Sequence, residues 1–179
     1  MLKLIYTGIG SRETPKEILD LMYNIGQQLA NGWVLRSGGA PGADTAFELG
    51  CISHSGFKEI YLPWNGFQGK RAKPSDGYIL GNKPSEALAM AESFILHWHN
   101  CSDGARTLHS RNCYQILGGD LDAPTDLVIC WTVGGQLKGG TATAMRMAMA
   151  HKIPIINLAM PGAVKALEEI TAQIETTKE

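Results

Sequence analysis

The residues best suited to chemistry lie in three glycine-rich turns: Gly8-Ile9-Gly10-Ser11-Arg12, Ser37-Gly38-Gly39-Ala40-Pro41-Gly42-Ala43-Asp44 and Lys138-Gly139-Gly140-Thr141. Each follows a short apolar run (Leu4-Ile5-Tyr6, Trp33-Val34-Leu35 and Leu127-Val128-Ile129-Cys130-Trp131) and precedes a helical pattern. A turn placed between strand and helix directs backbone N–H groups and the positive helix end outward, where an anion can bind. Three on one chain predict a phosphate-bearing ligand, most simply a nucleotide.

The turns differ in detail. Gly8-x-Gly10 begins like a dinucleotide fingerprint, but Glu13 stands at its third glycine position. The second strand ends Leu35-Arg36-Ser37 without the expected acid, which disfavours ordinary recognition of the NAD ribose. Ser11 and Arg12 still offer a hydroxyl and a guanidinium to phosphate or ribose. In the second turn Gly38 and Gly39 permit close backbone approach and positive φ. Asp44 either caps the following helix or accepts from ribose hydroxyls. Glu48, one helical turn on, pairs with it as a candidate water-activating acid or else lies on a solvated face. Gly134 to Thr141 superficially mimics a P-loop, but Gly140 replaces the lysine, so a Walker site is excluded. Trp131 can stack a base or pack in the core.

No metal site and no cofactor are expected. His97, His99, Cys101, His109 and Cys113 match no common zinc spacing, and Ser11 and Ser37 have no assignable histidine partner. The four cysteines form no CxxC pair, which fits a reduced compartment.

The elements that must position these turns follow from periodicity. Strands are predicted at 3–7, 33–36, 58–62, 127–131 and 154–158. Helices are predicted from a Thr14 N-cap with Pro15 as first residue, from Ala43 to about Cys51, from Pro84, from about Ala105 to Leu117, from Thr141 to His151 and from Pro161 to about Thr176. The Pro84 helix is expected to carry Leu88, Ala91, Ile95 and Trp98 on one face. Alternating strands and helices predict an α/β fold, a Rossmann-like three-layer α/β/α sandwich with a mainly parallel sheet of about five strands. Right-handed crossovers bring the glycine turns to one sheet edge.

Composition bounds the rest. At 179 residues, 44% hydrophobic and 18% charged, the chain is expected to form one domain, and a net charge of −1 gives no global attraction to nucleic acid or membrane. No run approaches the roughly 20 apolar residues of a spanning helix, and no signal peptide is visible; a cytoplasmic protein is expected.

Taken jointly, Gly10-Ser11-Arg12, Ser37 to Asp44, Arg111-Asn112 and Gly139-Gly140-Thr141 resemble the SLOG superfamily of Rossmann-like proteins, which includes DprA/Smf, the LOG phosphoribohydrolases and the YspA-like nucleotide-binding proteins. The YspA-like branch looks most similar. The resemblance covers residues 3–64 and 106–158, leaving about 65–105 as an insertion. It implies a nucleotide-like ligand at the carboxyl edge of the sheet, cradled by Gly38, Gly39, Gly42, Gly140 and Thr141, and it implies self-association. Arg111 is expected to face the pocket as an exposed arginine that bridges a phosphate, its removal leaving stability nearly unchanged. LOG-type enzymes look to carry a glutamate shortly after Gly-Thr; here Ala142-Thr143-Ala144-Met145 occupies that stretch.

Three functions stay open on this evidence. The first is binding of a phosphorylated nucleotide or nucleotide-derived molecule, of ADP-ribose-like or cyclic signalling type, by a sensor or sequestering protein. The expected contacts are Gly8, Gly10, Ser11, Arg12, Ser37, Gly38, Gly39, Ala40, Gly42, Ala43, Asp44, Arg111, Asn112, Trp131, Gly139, Gly140 and Thr141. The second is an N-glycosidase or phosphoribohydrolase using Asp44 or Glu48. The third is DprA-like binding of single-stranded DNA, for which Lys70, Arg71 and Lys73 are interleaved with Trp64, Phe67 and Tyr78.

Overall fold

The computed structural model describes residues 3–178. Six strands, β1 (Leu4–Gly8), β2 (Trp33–Ser37), β3 (Lys58–Tyr61), β4 (Tyr78–Ile79), β5 (Leu127–Cys130) and β6 (Ile155–Asn157), form one sheet in the order β4-β3-β2-β1-β5-β6. Every neighbouring pair is parallel. The expected five strands are present. The sixth, β4, lies inside the segment expected to be an insertion and is two residues long, too short to show a period of its own.

Side chains alternate across the sheet as a strand period of two requires. Tyr6, Leu35, Ile60, Leu127 and Ile129 pack on one face against α1 (Lys16–Leu29), α2 (Ala43–Ser53) and α6 (Ala163–Lys178). Tyr61, Val128 and Cys130 pack on the other against α3 (Pro84–Ser93), α4 (Asp103–Leu117) and α5 (Gly139–Ala150). The result is the expected three-layer sandwich. Among the described residues no helix is long and apolar enough to cross a membrane.

Several boundaries differ from expectation. Pro15, not Thr14, is the N-cap of α1, and it makes no side-chain cap. The Thr14 hydroxyl instead donates to the Ser11 carbonyl at 2.6 Å, bracing the first glycine turn. The α3 helix ends at Ser93, so Ile95 and Trp98 lie beyond it. By contrast α4 has a true cap, since Ser102 Oγ accepts from the Ala105 N–H.

The sheet order reverses at β1: the chain runs outward through β2, β3 and β4, then returns to add β5 and β6 on the other side. At such a switch point the loops after two neighbouring strands diverge and leave a crevice at their carboxyl ends. All three glycine turns border it.

Candidate functional site

A cavity of about 690 Å³ occupies this crevice. Its walls are the first turn (Ile9 to Glu13), the second (Ala40, Pro41, Gly42, Asp44), the start of α5 (Lys138 to Thr141, with Ala144) and one face of α4 (Ala105, Leu108, His109, Arg111, Asn112, Gln115). Phe67 and Gln68 close the remaining side.

Of the expected contacts, Gly10, Ser11, Arg12, Ala40, Gly42, Asp44, Arg111, Asn112, Gly139, Gly140 and Thr141 line the cavity. The others shape it from behind. Gly8 makes room for the Phe47 ring, from which a Cβ at this position would stand only 2.7 Å. The Ser37 hydroxyl donates to the Gly8 carbonyl at 2.7 Å, tying the end of β2 to that of β1. Gly39 has φ of +68° and its carbonyl accepts from Lys70 Nζ. Ala43 packs under Gly10. Trp131 packs against the core instead of facing the cavity; its carbonyl holds the Ser11 N–H at 3.0 Å.

Gly38 has a different role from the one expected. It does not adopt positive φ. A Cβ there would lie 2.5 Å from Arg111 Nη1 and 2.6 Å from Arg111 Cζ, with Gln115 Nε2 closer still. The glycine therefore leaves space for two α4 side chains to pass beneath the turn.

Arg111 is 7% exposed, which corrects the expectation of an exposed guanidinium. Nη1 donates to the carbonyls of Gly38 and Tyr61, and Nε donates to Asn112 Oδ1 at 3.2 Å. Asn112 Nδ2 in turn donates to the Gly140 carbonyl, joining α4 to α5. Burial lowers the Arg111 pKa and Asp44 raises it. Burial likewise pushes the Asp44 carboxyl up, while Arg111 and the N–H groups of Ala40 and Gly38 pull it back. Asp44 Oδ2 accepts from the Ala40 N–H at 3.1 Å. The cavity floor thus holds a buried guanidinium and a buried carboxyl.

Glu48, the other candidate acid, lies away from the cavity and is not on a solvated face. It is 3% exposed, paired with Lys58 at 2.7 Å and bonded to the Tyr78 hydroxyl. This pairing fastens α2 to β3 and β4 and leaves Glu48 out of reach of a ligand. Of the expected DNA platform, Trp64 and Arg71 stay exposed. Phe67 is buried, Lys70 is bound to Gly39, Lys73 pairs with Asp76, and Tyr78 carries Lys58 on its ring.

Two cationic side chains, Arg12 and Lys138, stand exposed at the mouth, where Glu13 is the neighbouring acid. The α5 N-terminus beside them has no side-chain cap. A Cβ on Gly139 or Gly140 would meet nothing within 4 Å, so that helix end is open to the cavity. Three uncapped N–H groups, the helix dipole and two cations make an anion-binding rim.

His109 also lines the cavity, its ring 3.2 Å from the Thr143 hydroxyl; burial, then Arg111, lowers its pKa. Burial pushes the Cys113 and Cys130 thiols up to about 12, so neither is a nucleophile at neutral pH. Among the described residues no three His, Cys, Asp or Glu side chains converge as a metal site would need. Beyond Arg111 a second cavity of about 610 Å³ is lined by Leu62, Trp64, Leu80, Leu88 and Tyr114.

Sequence reasoning missed His109, Gln115, Leu108 and Ala105. The spacing 105, 108, 109, 112, 115 is nevertheless one helix face, and the expected Asn112 lies on it. Phe67 and Gln68 carried no such signal.

No protein-family model matches the chain, and no curated protein sequence does. Solved structures match in fold. The Moco carrier protein of Chlamydomonas reinhardtii shares 18% identity, with a TM-score of 0.53 over 96% of this chain and 86% of that one. The molybdenum cofactor binding protein of the phototrophic bacterium Rippkaea orientalis shares 20%, with a TM-score of 0.54 over 88% and 77%. DprA from Streptococcus pneumoniae shares 15%, with a TM-score of 0.52 over 93% of this chain and 56% of that one. At these identities the likeness is one of architecture: the chain has a Rossmann-like α/β fold in common with molybdenum-cofactor proteins and DprA.

Proposed function

We propose that the chain binds a phosphorylated heterocyclic small molecule, of nucleotide or related type, in the switch-point cavity, as a carrier, sensor or sequestering protein. The observation that carries this reading is the pairing of an open, uncapped α5 N-terminus, flanked by Arg12 and Lys138, with a buried polar floor at Arg111, Asp44 and Gln115. The rim suits an anion and the floor suits a neutral ring. Two structural neighbours are named for carrying or binding molybdenum cofactor. The glycine-turn motifs support SLOG-type, YspA-like membership with self-association, and the four cysteines without a CxxC pair support a reduced, cytoplasmic setting. Calorimetry against nucleoside phosphates, NAD derivatives and molybdenum cofactor tests the reading. Binding tighter than millimolar supports it; no binding by any member overturns it.

A second reading, N-glycosidase action, rests on one observation: Asp44 lines the cavity with a carboxyl pKa raised by burial, as a general acid needs. Free base released from nucleoside monophosphates, and lost in Asp44→Asn, would establish it. No release at all would remove it.

A further inference from the structure

We propose that Gln115 reads the hydrogen-bonding edge of the ligand's heterocycle, so that the cavity floor selects a ring with an N–H donor beside an oxygen or nitrogen acceptor. The inference rests on the small-molecule reading above and goes further by assigning the two ends of the ligand to the two ends of the site.

Gln115 is 2% exposed and lines the cavity. Its backbone carbonyl accepts from the Thr7 hydroxyl at 2.6 Å. Its side-chain amide makes no hydrogen bond among the described residues, and unlike the Tyr6 and Tyr114 hydroxyls its atoms are not sealed from solvent. A leucine of similar size would fill the same space but offer no hydrogen-bonding group to the cavity. Gln115 lines the cavity, so the polar edge of a bound molecule can replace water at its amide.

The amide's chemistry limits what that molecule presents. A carboxamide offers a donor and an acceptor side by side. A phosphate oxygen answers only the donor and leaves Oε1 unpaired. A ring edge with a donor next to an acceptor answers both, which is how carboxamides read base edges in nucleic acids. The surrounding charges agree with this placement. Arg111 and Asp44 oppose one another on the floor, whereas Arg12 and Lys138 stand at the mouth with the α5 N-terminus. The phosphate therefore sits at the rim and the ring on the floor.

Calorimetry with inosine 5′-monophosphate, adenosine 5′-monophosphate and ribose 5-phosphate tests the assignment in the wild type and in Gln115→Leu, with Gln115→Met replacing it should the leucine variant fail to fold. The wild type should hold both nucleotides more tightly than ribose 5-phosphate. The variant should weaken the nucleotides by about ten- to a hundredfold, as loss of two hydrogen bonds implies, and leave ribose 5-phosphate unchanged. Equal wild-type affinities, unchanged nucleotide affinities in the variant, or an equal loss for all three probes would overturn the role of Gln115 while leaving the phosphate site standing. A wild type that binds none of the three removes the binding reading and this inference together.

Discussion

Replacing Gly38 by alanine should damage the protein far more than a single methyl group suggests. The added Cβ falls 2.6 Å from Arg111 Cζ and closer to Gln115 Nε2, well inside the separation that real Cβ atoms show. Neither neighbour can retreat freely, because Arg111 is 7% and Gln115 2% exposed. Moving the guanidinium also breaks its bonds to the Gly38 and Tyr61 carbonyls. Overpacking costs about 1–3 kcal/mol and a charged hydrogen bond about 1.5–3 kcal/mol, so a loss of about 3–5 kcal/mol is expected. For a domain of this size that corresponds to a fall in Tm of about 10 °C. Urea denaturation gives the free energy, with unchanged slope if the unfolded state is unaffected. The penalty should shrink in an Arg111→Ala background, where one obstacle is gone. A Gly38→Ala protein with the wild-type midpoint would refute the reasoning, since the two side chains would then not pass beneath the turn.

Other expectations follow from the same geometry. Arg111→Ala should lower unfolding stability by about 3–5 kcal/mol even without ligand, because it leaves the Gly38 and Tyr61 carbonyls and Asn112 Oδ1 without their donor; a thermal midpoint equal to wild type would contradict this. Burial raises the Asp44 pKa, so the folded protein holds that proton more tightly than the unfolded chain and stability falls as pH rises from the ordinary aspartate value through the raised one. Denaturation across that window should show this fall in the wild type and lose it in Asp44→Asn; identical pH profiles would place the titration elsewhere. Gly140→Ala, whose Cβ meets no atom and whose φ is ordinary, should fold at least as well as wild type yet bind phosphate-bearing ligands more weakly, because its methyl enters the open end of α5. Unchanged affinity in calorimetry would show that the phosphate does not approach that helix end.

The sheet and its switch point were legible because each rests on local patterning. Short apolar runs ending in glycine turns mark β1, β2 and β5, and the helices between them require parallel pairing. The turns also marked most of the cavity rim. What stayed hidden depends on which side chains meet across the fold. Arg111 reads on a helix as a surface residue, and its burial follows from the space left at Gly38, 73 residues away along the chain. Glu48 reads as half of an acid pair with Asp44, but Lys58 and Tyr78 from β3 and β4 capture it. Gln115 carries no motif, and its importance appears only when the rest of the α4 face is seen to line a cavity. Phe67 and Gln68 lie in a segment without periodicity, so no pattern could assign them to the site.

The proposed ligand, a phosphorylated heterocycle, would lie across the switch-point cavity with its anion at the rim and its ring on the floor. A crystal structure with inosine 5′-monophosphate tests it most directly. Phosphate oxygens should lie within about 3.2 Å of the Gly140 and Thr141 N–H groups, with the purine edge against the Gln115 amide. A nucleotide seated instead in the second cavity beside Trp64, or with its phosphate on Arg111 and its base in solvent, would contradict it.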